Sequence, residues 1–140
     1  MIKKYKTTDL VKAANNGAAP PNCDITLQII PAYAKDGIAK GIWNVDEKFI
    51  NGNGVVMGGY IASAADTIMA YAISSKLKEN QSFASINLNT TFHRPVTTGT
   101  VEVKAKVERI GKTVAYLSAE IIQNDKIVGN AVSSIMIIDN

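Results

Sequence analysis

The sequence contains few of the residues from which metal sites and nucleophile pairs are built. Among its 140 residues there is one cysteine, Cys23, and one histidine, His93. A lone cysteine excludes a disulfide within the chain, and one Cys with one His offers little for a zinc site or a Cys–His nucleophile. We expect no metal and no bound cofactor.

An excess of charge of one sign is also missing. The chain has 15 basic and 12 acidic residues, and its net charge is only +3. It has no arginine-rich stretch and no interleaving of aromatic with basic residues, so we expect no nucleic-acid partner. The small positive excess could help to attract an anionic ligand.

No hydrophobic run is long and uniform enough to predict a membrane span. The longest one, residues 55–73, contains Asp66 and two glycines. The first 16 residues are basic and lack the apolar segment of a signal peptide. We therefore expect a soluble, cytoplasmic protein without a membrane partner.

The composition that remains is typical of one globular domain. The chain is 46% hydrophobic and 19% charged, and no linker or repeat divides it. We predict a single domain over residues 1–140, in which residues 1–20 form an N-terminal helix and loop.

Helical and extended patterns follow one another in a simple order. We predict a short helix over Thr8–Asn16, ended by Gly17, then two strands around Pro31 between residues 24 and 49. A long, nearly uncharged helix is predicted from Gly58 to Lys78. The "NGNG" turn at residues 51–54 either closes a hairpin or leads into that helix. The candidates for the N-cap of the first helix are Thr7, Thr8 and Asp9.

Four strand-like segments make up the rest of the chain. The segment at residues 100–110 alternates, with the inward set Val101, Val103, Ala105 and Val107. The next segment places Ala115, Leu117, Ala119 and Ile121 on one face. In the first of the four segments, which contains residues 86–92, the residues predicted to share a face are Ile86, Leu88 and Phe92. We predict an α+β fold in which an antiparallel sheet of about six strands curves around one long helix.

Asp66 is a lone acid on this apolar helix. Its neighbours at helical spacing are all apolar: Ala62, Met69, Ala70 and Ile73. A carboxylate in such surroundings either lies in a cleft, where a raised pKa would suit a general base, or is satisfied by a hydroxyl, a backbone group or Arg94. The residues alone leave both interpretations open.

The glycine pair Gly58–Gly59 opens the same helix. Backbone N–H groups at a helix N-terminus lack partners within the helix, so they can bind an anion or a developing oxyanion. The alternative is a tight loop-to-helix turn. Together with an acid eight residues after Gly58, the pair is a more specific signal than the glycines alone.

In the stretch "NGNGVVMGGYIASAADTIMAYA" and the later "SINLNTTFHRPVTTGTVEVKAKVERIGKTVAYLSAEI", the chain resembles the hotdog-fold thioesterases, in particular the PaaI-type acyl-CoA thioesterases. The resemblance covers residues 25–138. It implies an antiparallel sheet wrapped around the long helix, and hydrolysis of an acyl-CoA to a free acid and coenzyme A, with CoA entering only as part of the substrate.

The resemblance also implies roles for individual residues. Gly58 would donate its N–H to the thioester carbonyl, and Asp66 of the other subunit of a dimer would be the nucleophile or general base. Asn51 falls where the family has an Asn near the thioester or water, although it is equally a turn residue. Ser85 falls where some members orient the water, although it is equally a strand-start hydroxyl.

One departure from the family pattern is Met57, which stands where the family has a histidine. Met cannot donate the hydrogen bond that His could, but the backbone N–H groups are unaffected. His93 does not replace it by position. Other candidates for contacts with the acyl group or with CoA, each of which could instead be core or solvated, are Met57, Gly59, Tyr60, Met69, Tyr71, Arg94, Arg109 and Lys112.

These features support an acyl-CoA thioesterase first, and a non-catalytic acyl-CoA-binding module second. A hydratase or dehydratase ranks lower because those enzymes rely on a catalytic His. A purely structural protein would leave the glycines and the acid unexplained. In each case we expect a homodimer or a dimer of dimers, because pairing covers an exposed sheet edge.

Overall fold

The computed structural model describes residues 2–140 as three α-helices, one 3-10 helix and seven strands. In chain order they are α1 (Thr7–Asn16), α2 (Asn22–Leu27), β1 (Ile29–Lys35), β2 (Ile38–Val45), the 3-10 helix Glu47–Phe49, α3 (Gly58–Ser74), β3 (Gln81–Ser85), β4 (Asn89–Phe92), β5 (Gly99–Ile110), β6 (Val114–Gln123) and β7 (Lys126–Asp139).

The seven strands form one antiparallel sheet with six positions. The order is β1-β2-β5-β6-β7-β3, and β4 pairs with the same strand as β3, further along it. β3 and β4 therefore share one edge of the sheet, and β1 forms the other. The α+β architecture of about six strands around one long helix is confirmed.

Helix α3 lies against the inner face of this sheet. It packs on β5, β2 and β6, and its inward residues include Ile61, Ile68 and Ile73. At Gly41 on β2 an added Cβ would overlap Ile68, so the helix approaches the strand as closely as it does because residue 41 is glycine. This close packing fixes the axis along which the site residues of α3 are placed.

The strands after α3 follow the predicted alternation. The inward residues of β5 and β6 are buried, with the exception of Val107, which is only partly buried. A register shift between Val107 and Arg109 explains this difference, because a bulge turns the strand away from the core.

The shared edge is interrupted, and the alternation predicted there is wrong in part. Ile86–Leu88 separate β3 from β4, and the backbone oxygen of Asn87 accepts a hydrogen bond from the Ser133 hydroxyl at 2.7 Å. Leu88 packs against the core, but Ile86 and Phe92 are each 52% exposed. The interruption breaks the period of two on which the prediction depended.

The N-terminal region differs from the prediction at two points. The N-cap of α1 is Lys6, whose backbone N–H donates to the Asp9 carboxylate at 2.8 Å, so none of the three predicted caps holds that position. The segment predicted to begin a strand at residue 24 is helix α2. Gly17 does end α1, in the left-handed conformation.

Helix α3 begins at Gly58 as predicted but ends at Ser74, four residues before Lys78. The Ser74 and Ser75 hydroxyls each donate to a carbonyl of the preceding turn. The Ser75 hydroxyl also accepts the N–H of Gly37 at 2.8 Å, from the turn between β1 and β2. These bonds hold the chain where it leaves the helix.

Candidate active site

The first turn of α3 presents unpaired donors. Its N-cap is Met57, which has an extended backbone and no capping side chain. Within residues 2–140, the N–H groups of Gly58 and Gly59 donate to no protein acceptor, whereas Tyr60 N–H bonds to the Met57 carbonyl at 3.0 Å. Two free N–H groups at the positive end of a 17-residue helix are suited to a carbonyl oxygen that gains negative charge.

Gly58 has a second, steric role. A Cβ added to it would lie 2.8 Å from Cζ of Phe92, whereas at Gly59 an added Cβ would approach only the end of Met57. The space that the missing side chain leaves is therefore taken by an aromatic ring from β4. Alternation had placed Phe92 on one face with Ile86 and Leu88 but gave no sign that its ring would reach Gly58.

A cleft of about 380 Å³ opens beside this turn. Most of its wall is apolar, with Val55, Ile61 and Pro95 among the residues that line it, together with Gly58 and Phe92. Arg94 also lines it and is exposed to solvent. An apolar cleft with a few polar groups is the usual form of a small-molecule site.

Asp66 lies two turns further along α3, on the side of the helix that the sheet does not cover. Its side chain is exposed, and it shares this stripe with Ser63 and Thr67. Both of those hydroxyls donate to carbonyls of the helix itself, so neither satisfies the carboxylate. Within residues 2–140 Asp66 forms no ion pair, which removes the suggested pairing with Arg94.

Ser85 faces Asp66 from the end of β3. Desolvation by the surrounding protein raises the pKa of Asp66, and the nearby Ser85 hydroxyl lowers it in part. Although the side chain is exposed, the apolar surroundings remove enough of its hydration to favour the protonated form. The structure thus brings together two predicted site residues that are 19 positions apart in the sequence.

Gly58 and Asp66 do not meet within one chain. Eight residues of α-helix correspond to about 12 Å along the axis. A thioester carbonyl at the Gly58 N–H is therefore out of reach of the Asp66 carboxylate of the same chain. If the two act on one substrate, the carboxylate has to come from a second copy.

Asn51 organises the loop before α3. Its side-chain oxygen accepts the N–H groups of Asn53 at 2.9 Å and Val55 at 3.4 Å, and its own N–H donates to the Val55 carbonyl at 2.7 Å. The "NGNG" segment is thus a closed turn that leads into the helix, with a bridge between Ile50 and Val56. The role that this structure shows for Asn51 is that of a turn residue.

The other predicted contact residues separate into open and buried positions. Met57 is 44% exposed beside the free N–H groups, and Tyr60 is partly buried with its ring 4.9 Å from that of Phe49. Met69 is 1% exposed and packs in the core of this chain, and its assignment to the substrate site stays a prediction. Three residues of helix place it about 60° around the axis from Asp66, far enough for Met69 to be buried while Asp66 is exposed.

Of the predicted CoA contacts Arg94, Arg109 and Lys112, Arg94 lines the cleft at Gly58. Lys112 lies in the turn between β5 and β6, and Arg109 near the end of β5. His93, which was not expected to replace the family histidine, also lines this cleft, and its ring is hydrogen-bonded to the Asn130 side chain at 2.5 Å.

A buried acid, Asp24, was not predicted. It is 2% exposed, and its Oδ2 accepts the Tyr71 hydroxyl of α3 at 2.5 Å, while the Cys23 thiol lies 3.4 Å from Oδ1. Burial raises the pKa of Asp24 and of the Cys23 thiol, so the thiol is not an activated nucleophile. Tyr71 is accordingly a core residue that ties α2 to α3.

Two further properties of residues 2–140 bear on the chemistry. They contain no group of three or more His, Cys, Asp or Glu side chains placed to hold a metal ion. None of their helices is long and apolar enough to cross a membrane.

Comparison with known proteins identifies the family. The model of the thioesterase superfamily matches residues 53–129, which is more than half of the chain and includes α3. The chain belongs to the thioesterase superfamily. This confirms the resemblance on which the site assignments depend and supports an esterase or thioesterase activity in general.

Individual relatives and solved structures are also similar to this chain. A Pseudomonas aeruginosa protein that is provisionally named an esterase is 27% identical over 88 residues, which span 62% of this chain and 66% of that relative, just under two thirds of its length. The structure of PaaI from Escherichia coli superimposes with a TM-score of 0.83 at 24% identity, covering 97% of this chain and 98% of that one.

A phenylacetic acid degradation-related protein from Ralstonia eutropha superimposes with a TM-score of 0.84 at 25% identity, covering 91% and 98% of the two chains. These structures show that the curved sheet around α3 is the hotdog fold.

Proposed function

We propose that this protein is an acyl-CoA thioesterase. The observation that supports it most is the arrangement along α3: two free N–H groups at its start, and an open carboxylate with a raised pKa two turns later. Hydrolysis of a thioester needs both a donor for the oxyanion and a base or nucleophile. The sequence relatives and the fold favour the same reaction.

In the proposed reaction, Gly58 N–H donates to the thioester carbonyl. Asp66 acts in one of two ways. As a general base it removes a proton from water, whose oxygen attacks the carbonyl carbon. As a nucleophile its carboxylate attacks that carbon itself, and water then releases the acid. The carbon–sulfur bond breaks, and CoA leaves as the thiol after taking up the proton. The products are a carboxylic acid and CoA, and no further cofactor takes part.

The separation along α3 requires that the Gly58 N–H and the Asp66 carboxylate come from different chains. The edge formed by β3 and β4 is open, and Ile86 on it is 52% exposed, so pairing of two copies along this edge would bury apolar surface. We propose a homodimer, or a dimer of dimers, as the active form. A monomer at micromolar concentration in light scattering would contradict this two-chain site.

The proposal also states which residue would contact CoA and in which compartment the protein would act. Arg94 is the basic residue best placed to meet CoA phosphates, because it lines the cleft that contains Gly58. CoA thioesters are intracellular, so we propose that the protein acts in the cytoplasm.

A thiol-release assay over a panel of acyl-CoAs tests the function. We expect turnover by the wild type, and its loss in Asp66→Asn with the circular dichroism spectrum unchanged. Unchanged turnover in that variant would refute the role of Asp66.

The second candidate function, binding of acyl-CoA without hydrolysis, is favoured by Met57, which lies exposed beside the free N–H groups and offers no donor. Tight binding of acyl-CoA with no thiol release from any member of the panel would establish it instead.

A further inference from the structure

Phe92 is held in place at the entrance of α3. It is the last residue of β4, and the next two residues, His93 and Arg94, both donate their N–H groups to the Val128 carbonyl, at 2.8 and 3.1 Å. Backbone pairing on both sides fixes the point from which the ring projects. The ring is not a loose surface side chain, although 52% of it is exposed.

The ring lies where a bound thioester would have least space. It contacts the position at which Gly58 lacks a side chain, so it lies next to the residue whose N–H would receive the carbonyl oxygen. A carbonyl that accepts that N–H at about 2.9 Å brings its two substituents, the sulfur and the first acyl carbon, into the neighbourhood of the ring. Bulk on one of these two atoms would therefore meet Phe92.

The acyl carbon is the substituent that the surroundings favour. The cleft beside the ring is lined by apolar residues such as Val55, Ile61, Pro95 and Val96. Such walls suit a hydrocarbon, whereas the pantetheine arm of CoA carries amide groups that would lose their hydrogen bonds to water there.

Building on the proposed function, we propose that Phe92 determines specificity by excluding acyl groups that branch at the carbon next to the thioester carbonyl. The residue has no part in the chemistry. It leaves room for one methylene group beside the carbonyl and not for two substituents. The substrate class is accordingly acyl-CoAs with an unbranched first acyl carbon.

Two isomeric substrates test this directly. Butyryl-CoA and isobutyryl-CoA have the same atoms and differ only in branching at that carbon. We expect the wild type to prefer butyryl-CoA in kcat/KM. Phe92→Ala should raise the ratio of isobutyryl to butyryl turnover by about tenfold or more, the range in which one methylene group is usually discriminated. Phe92→Leu should raise it less.

A matched control is Ile110→Ala, which truncates a 40% exposed apolar residue at the last position of β5. This variant should leave the ratio of isobutyryl to butyryl turnover unchanged. If Phe92→Ala changes both substrates by the same factor, or leaves the ratio unchanged, the inference is overturned, and the ring contacts the sulfur side or only supports the fold.

Failure of the proposed function gives a different result. If the wild type hydrolyses neither isomer and no other member of the acyl-CoA panel, the thioesterase assignment fails, and the dissociation constants of the same two compounds, measured by calorimetry, decide about Phe92. Weaker binding of isobutyryl-CoA that is relieved in Phe92→Ala supports the steric limit. Equal affinities of the wild type for the two isomers overturn it.

Discussion

Asp66 and Asp24 are both aspartates whose surroundings raise the pKa, yet their positions differ in every other respect. Asp66 is exposed on the uncovered stripe of α3 and has the Ser85 hydroxyl beside it. Asp24 is 2% exposed, and the Tyr71 hydroxyl and the Cys23 thiol occupy its two oxygens. The first carboxylate can reach a substrate, and the second cannot.

The comparison shows why a raised pKa alone does not identify a catalytic acid. In both residues the main cause is desolvation, which reports the loss of water and not the approach of a ligand. What distinguishes Asp66 is an oxygen without a protein donor and a surface open to solvent. Asp24 instead links α2 to α3 through its hydrogen bond with Tyr71, so its raised pKa reflects burial in the structure.

The largest expected difference between the two acids is in turnover. Asp66→Asn should lower kcat/KM for an accepted acyl-CoA by about 10²- to 10⁴-fold, because the amide cannot take a proton from water. Asp24→Asn should stay close to the wild type, since its side chain has no access to substrate. A similar loss in both variants would show that the linkage of α2 to α3 is itself needed for activity.

Next in size is the effect of removing the partner of Asp24. Tyr71→Phe keeps the buried ring but leaves Oδ2 of Asp24 without its donor, so we expect a loss of about 1–3 kcal/mol in the free energy of unfolding. The matched control is Tyr116→Phe, because Tyr116 is 43% exposed and its hydroxyl forms no hydrogen bond within residues 2–140. Equal denaturation midpoints for the two variants would contradict a stabilising link.

The pH dependence of stability gives a smaller signal. Burial raises the pKa of Asp24 above the ordinary value of 3.8, so the folded protein keeps this proton to a higher pH than the unfolded chain. The free energy of unfolding should therefore fall as pH rises from that value through the raised pKa. In Asp24→Asn this fall should be smaller, because only the contribution of Asp66, whose pKa is also raised, remains. Parallel urea-unfolding curves across that pH range would refute the assignment.

Much of the fold follows from regular patterns in the sequence. The alternation in β5 and β6 and the apolar run of α3 are strong because each depends on residues close in the chain. The segment at residues 22–27 was predicted wrongly because the β-branched residues Ile25 and Thr26 favour a strand locally, and packing against the rest of the chain overrides this.

The site was predictable only in part, for a related reason. Gly58 and Asp66 lie on one helix, so their spacing could be read from the sequence. The contact of Phe92 with Gly58 joins residues 34 positions apart, and no local pattern encodes it. The burial of Met69 was also not encoded, because it is three residues from Asp66, a spacing that allows neighbouring positions on a helix but does not say which of them faces the core.

The smallest expected effect concerns Ser85. Its hydroxyl lowers the pKa of Asp66 by stabilising the ionised form, against the larger effect of desolvation. The acid limb of the kcat/KM profile should lie above the ordinary aspartate value of 3.8, and Ser85→Ala should move it to still higher pH. Ser85→Thr, which keeps a hydroxyl, should restore the wild-type limb.

The value of kcat/KM on the alkaline side of the acid limb distinguishes two roles of the Ser85 hydroxyl. If Ser85 acts only through the pKa of Asp66, the plateau of Ser85→Ala should equal that of the wild type. A lower plateau with an unshifted limb would instead mean that Ser85 positions the attacking water. In that case desolvation alone would set the pKa of Asp66, as it mainly does for Asp24, and the Ser85 hydroxyl would not contribute to it.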